Sequence, residues 1–111
     1  MTTYPKAYSF DGWDTIVGTK ARVKVANNTY AERVGANVIG IRLHNTYVVE
    51  YHRDGSVIVN DGGYRTVTTK ARINEFIPVL WGVYQHDREW YVTGRQAGSC
   101  LYQSGMDLTG I

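Results

Sequence analysis

The stretch VIGIRLHNTYVVEYHRDGSVIV, residues 38–59, decides the fold. Read with period two, it puts Ile39, Ile41 and Leu43 on one face of a strand, and Gly40, Arg42 and His44 on the other. A three-residue loop at His44-Asn45-Thr46 returns the chain through residues 47–52. That loop length pairs Leu43 with Tyr47, Ile41 with Val49 and Ile39 with Tyr51. Arg53-Asp54-Gly55 is a strong hairpin signal, because glycine takes the left-handed position of the turn without a Cβ clash. It pairs Tyr51 with Val57 and Val49 with Val59. One apolar face runs through all three strands: Ile39, Ile41, Leu43, Tyr47, Val49, Tyr51, Val57 and Val59. Agreement of pattern, turn chemistry and register at this length marks an antiparallel meander.

Working outward toward the N-terminus, Val23 and Val25 alternate with Arg22 and Lys24. Asn27-Asn28 joins them to a return strand over residues 29–34, since both asparagines tolerate positive φ. Residues 1–20, broken by Pro5, Gly12 and Gly18, read as an N-terminal arm. Phe10, Trp13 and Val17 are spaced for one short helical turn after Asp11.

Toward the C-terminus the period changes. After Asp61-Gly62-Gly63 a helix is predicted over 66–77, capped by Thr66 or Thr68. Thr69, Ile73, Phe76 and Ile77 make its apolar stripe, and Pro78 stops it. Strands over 79–84 and 90–93 then form a hairpin. In the Gly- and Ser-containing tail, 94–111, Cys100-Leu101-Tyr102 makes an edge strand, while Met106, Leu108 and Ile111 tuck against the body. The predicted class is α+β, mainly antiparallel β. It consists of a meander of about four strands, one helix and a β-hairpin, arranged as an open sheet with a packed helix or as a small, partly closed barrel. The chain is one domain: arm 1–20, core 21–93, tail 94–111.

Composition bounds the function. The chain has 111 residues, 43% of them hydrophobic, with nine tyrosines, three tryptophans and a net charge of +2. That charge is small for a dedicated duplex-DNA binder. No apolar run approaches the ~20 residues that span a bilayer, so no membrane association is expected. The single cysteine forms no internal disulfide, and the start of the chain has no signal-peptide pattern. These features place the protein in the cytoplasm of a cell, or in a particle assembled there.

No motif for catalysis emerges. Arg42, His44, Glu50 and His52 share strand parity, and two histidines with a carboxylate are the least that zinc needs. His44 lies at a loop beyond the pairing of its neighbours, so polar residues on a solvent face account for them better, and neither a metal site nor a cofactor is expected. Cys100 sits among small residues, with nothing nearby to lower its pKa. Gly63, Arg65, Thr68, Thr69 and Lys70 form a candidate anion site, because a helix N-terminus presents free N–H groups and a positive dipole end. Arg22, Lys24, Arg42 and His44 on the polar sheet face, with Tyr64 in the loop that enters the helix, are candidate partner-binding residues.

Six strings are similar to those of a widespread family of small bacteriophage- and prophage-encoded proteins, among them KVANNTY (24–30), RLHNT (42–46) and DGSV (54–57). The most specific is NDGGYRTVTTKARIN (60–74), and WYV (90–92) and GMDL (105–108) add to it. Tyr64 stands where that family's pattern carries a tryptophan. The resemblance implies viral origin and a compact fold, and it assigns no catalytic residue.

Together these readings predict a non-catalytic phage accessory protein that binds a host or viral protein, acts in the host cytoplasm, and inhibits a host antiviral defence. A virion structural or decoration component is the alternative, and a nucleotide or single-stranded nucleic-acid binding module a second. Self-association into a homo-oligomer is compatible with all three.

Overall fold

The computed structural model describes residues 4–78, 80–94 and 99–110. Its first element is helix α1, Phe10–Val17. The Ser9 hydroxyl oxygen accepts the Gly12 N–H at 3.1 Å, and Gly18, at φ +56, closes the helix by donating its N–H to the Asp14 carbonyl at 2.9 Å. Phe10, Trp13 and Val17 fall at helical spacing and are buried. Two α-helices are therefore present rather than the single one expected. What reads as an arm carries a core helix, because one Trp and one Phe bury more apolar surface here than the punctuating glycines cost.

Strands β1 (Arg22–Ala26), β2 (Thr29–Gly35), β3 (Val38–Leu43), β4 (Thr46–His52) and β5 (Val57–Val59) follow. They form one antiparallel sheet in chain order, a meander of five strands rather than about four. Asn27-Asn28 turns β1 into β2, with Asn28 at φ 55.

The expected pairs Ile39–Tyr51, Ile41–Val49, Tyr51–Val57 and Val49–Val59 are all present. The pair Leu43–Tyr47 is not. The β3–β4 turn has two residues, His44 and Asn45, and a bulge after Ile41 pairs Arg42 with Tyr47 and Leu43 with Thr46. Tyr47 thus leaves the apolar face, and Val48 takes a buried place. The Tyr47 ring lies over Gly40, where an added Cβ would come within 2.5 Å of its Cδ1. A bulge lets the strand keep both the two-residue turn and the core register.

Helix α2 (Val67–Phe76) begins at Thr66, whose hydroxyl oxygen accepts the Thr69 N–H at 3.1 Å. Thr69, Ile73 and Phe76 are its buried face. Strands β6 (Gly82–His86), β7 (Glu89–Thr93) and β8 (Ser99–Leu101) make a second antiparallel sheet, and a 3₁₀ turn, η1, spans Leu108–Gly110. Asp87 and Arg88, both at positive φ, form the β6–β7 turn. Of the predicted strand 79–84, Val79 lies outside the described residues and the observed strand starts at Gly82. Ile111, expected to tuck in, is also outside them.

Two open sheets replace the alternatives of one sheet or a barrel, because Pro78 and the turn after it break the chain away from the first sheet. Asn74, on α2, ties that helix to the second sheet. Its side-chain amide donates to the Val83 carbonyl at 2.8 Å, and its carbonyl oxygen accepts the Val83 N–H at 2.7 Å. Trp13 packs between Tyr51 and Phe76, with ring centroids 6.2 and 6.1 Å away. The Tyr51 hydroxyl donates to the Phe76 carbonyl, and burial holds that phenol far above its ordinary pKa. The C-terminal segment closes the edge of β5: Gly105 N–H reaches the Val59 carbonyl at 2.7 Å, and Val59 N–H reaches Met106 at 3.1 Å. Tyr102 and Leu108 are buried in the same core.

Candidate functional site

A cleft of about 470 Å³ opens where the β3–β4 turn meets the start of α2. Leu43 and Val48 give it an apolar base. Asn45, Thr46, Asp61 and the first-turn threonines of α2 supply polar groups. Its two walls touch at Gly62. That residue has φ +63, and a Cβ there would come within 2.2 Å of Thr46 Oγ1. Only glycine fits so close an approach in that conformation.

The loop between the walls is self-satisfied. The buried Asp61 carboxylate accepts the Gly63 N–H at 2.7 Å and pairs with Arg65 Nε at 3.2 Å. The Arg65 guanidinium also lies over Tyr102 and Trp90, 5.2 and 5.8 Å from their ring centroids. Burial pushes the Tyr102 phenol up to about 12, with Asp61 adding to the shift and Ser104 and Arg65 opposing it.

The structure separates the anion-site candidates. Thr68 and Thr69 line the cleft. The Thr69 amide is engaged by Thr66, and Arg65 is turned onto Asp61. Gly63 is exposed with its N–H on Asp61, and neither Gly63 nor Lys70 lines the cleft. The partner-binding candidates also divide. His44 and Tyr64 line the cleft, the latter 69% exposed. Arg22, Lys24 and Arg42 lie along the outer face of the first sheet. There Arg42 grips Glu32 (Nε to Oε1, 2.7 Å) and donates to the His44 carbonyl at 2.6 Å. The Glu32 contact raises the Arg42 pKa against the opposing effect of burial. Burial raises Tyr47, and the neighbouring Glu32 adds to it.

Sequence reading missed Leu43, Asn45, Thr46, Val48, Asp61 and Thr66 as cleft residues. The two-residue turn was the available signal for the first four. Glu50 and His52 do meet, at 3.4 Å, whereas His44 sits apart in its turn. Cys100 is a free, exposed thiol. No helix among the described residues is long and apolar enough to cross a membrane.

Fold and cleft together define a small two-sheet α+β domain, with an open cleft between a hairpin turn and a helix start. Residues 13–109 match the Kyanoviridae Gp96 protein family. That is most of the chain, so the chain belongs to this family and is a phage-encoded protein. No curated protein and no solved structure matches it.

Proposed function

We propose that this is a non-catalytic phage accessory protein that binds a host protein in the infected cell and blocks it, the target being a component of host antiviral defence. The observation that carries the reading is the cleft with the exposed Tyr64 in its lining. Tyr64 is 69% exposed beside the cleft, and Val67, at the start of α2, is 77% exposed. Interfaces draw most of their energy from a few aromatic and apolar anchors around a desolvated centre, with a polar rim. A partner needs to cover about 800 Å², and the domain exposes 6455 Å².

The test is capture of partners by the tagged protein from phage-infected cells, read by quantitative mass spectrometry. Wild type is compared with Tyr64→Ala and Val67→Glu, both exposed and so harmless to the fold. One host protein should be enriched with wild type and lost with both variants. Equal capture by all three proteins refutes the cleft as the contact. Enrichment of capsid or tail proteins, with the protein present at fixed copy number in purified particles, replaces this reading with a virion role. Nucleic-acid-dependent capture that collapses with added salt replaces it with polyanion binding.

A further inference from the structure

The edges of the two sheets differ in how they are finished. The segment 105–107 pairs with β5, and Asn74 occupies the backbone of β6 at Val83. Strand β1 is an outer strand with nothing added to its free side among the described residues.

The hydrogen-bond parity of that free side follows from one contact. The His44 N–H donates to the Asn28 carbonyl at 3.2 Å. In an antiparallel ladder this makes the even-numbered residues of β2 face β3 and the odd-numbered ones face β1. Ala31 pairs with Val23, so Val23 is turned toward β2. The N–H and C=O groups of Arg22 and Lys24 therefore point out of the sheet. Their side chains are exposed as well, as is that of Lys20 just before the strand. Arg22 stacks on the Tyr30 ring at 4.7 Å and pairs with no carboxylate among the described residues. Lys24 makes no ion pair or hydrogen bond there.

We infer that the free edge of β1 is a docking edge for an extended acidic segment of a partner protein, added as a sixth antiparallel strand. Residues directly opposite one another in such a pair share a face. Two carboxylates spaced two residues apart would meet Arg22 and Lys24. The residue between them would lie beside the half-buried Val23, where an apolar side chain fits. The recognised chemistry is an alternating acidic–apolar–acidic strand, read by main-chain bonds for affinity and by side chains for specificity. A second copy of this chain does not fit, because two-fold pairing of β1 sets Arg22 against the other copy's Lys24. A polynucleotide fits less well, because its phosphodiester backbone offers no donors to the outward carbonyls. Cations on an edge strand also discourage aggregation; that role alone would leave acidic peptides unbound.

The edge is separate from the cleft, since no β1 residue lines it. The probe is a dye-labelled alternating Glu-Val heptapeptide, titrated with the full chain by fluorescence anisotropy. Saturable binding is expected, weakened roughly tenfold or more by the double variant Arg22→Glu/Lys24→Glu, and unchanged by Tyr64→Ala. The same peptide N-methylated at its glutamates keeps its charge but loses the ladder donors, and it too should bind at least tenfold more weakly. If the double variant fails to fold, Lys24→Gln must still weaken binding, since Lys24 has no partner to lose. The inference falls if the Glu-Val peptide does not bind, if the N-methylated peptide binds equally, or if the charge variants bind like wild type. Loss with Tyr64→Ala alone would move the peptide to the cleft and likewise overturn it.

Discussion

Replacing Gly62 with alanine tests how the cleft is built. Gly62 is at φ +63, and its missing Cβ leaves room for Thr46, which would otherwise lie 2.2 Å away at Oγ1 and 3.0 Å at Cβ. Two costs follow. A non-glycine residue in the left-handed region costs about 1–2 kcal/mol. Forcing the Thr46 side chain and its turn aside costs about 1–3 kcal/mol more, as overpacking does elsewhere. The expected loss for Gly62→Ala is thus roughly 2–5 kcal/mol, a drop in Tm of roughly 8–20 °C for a domain of this size. Gly63 provides the control. It also has positive φ, +89, but a Cβ there meets nothing within 4 Å, so Gly63→Ala should show the conformational cost alone, about 1–2 kcal/mol. Urea denaturation of both variants, repeated in a Thr46→Ala background, separates the terms. Thr46→Ala should recover part of the Gly62→Ala loss and none of the Gly63→Ala loss. Equal losses for the two glycines, or no recovery, would refute the close approach of the β3–β4 turn to the helix-start loop.

Asn74→Ala removes both part-buried bonds to Val83 and leaves its backbone N–H and C=O without that partner. A loss of about 2 kcal/mol is expected by chemical denaturation, after allowing for the better helix propensity of alanine. Asn74→Asp, which keeps only the acceptor, should fall between. Trp13→Ala should cost about 3–5 kcal/mol, read by the same assay, whereas a dispensable arm would show almost none. Asp107 is held below the ordinary carboxylate range: burial pushes it up, but hydrogen bonds from the Thr109 hydroxyl and the Thr109 and Val57 N–H groups outweigh that. With the folded pKa depressed, its contribution is present above the unfolded value near ~3.9 and is lost as pH falls through the folded one. The urea midpoint measured at falling acidic pH should therefore drop less in Asp107→Asn than in wild type.

Much of the fold was legible because it is local. The Asp54-Gly55 and Asn27-Asn28 turns, the period-two runs and the Thr66 cap each depend on residues a few positions apart, and each appears where the pattern puts it. The candidate site was legible only in halves. His44 and Tyr64 stood out separately as exposed groups, and nothing in their spacing says that they line one cleft. Tyr47 misled for a physical reason: a β-rich aromatic reads as core, but a single bulge reverses its face and hands the buried place to Val48.

By itself, then, the sequence determined the meander, its core register at Ile39, Ile41, Val49, Val57 and Val59, the second helix and the basic character of β1. Period and turn chemistry are short-range and survive without knowledge of the rest. Tertiary structure alone decided that Phe10–Val17 is a core helix, that Asn74 ties α2 to the second sheet, that segment 105–107 finishes β5, and that Gly62 against Thr46 shapes a cleft. Those outcomes depend on contacts between residues far apart in the chain, where burial of Trp13 or closure of a bare strand edge outweighs what the local pattern favours.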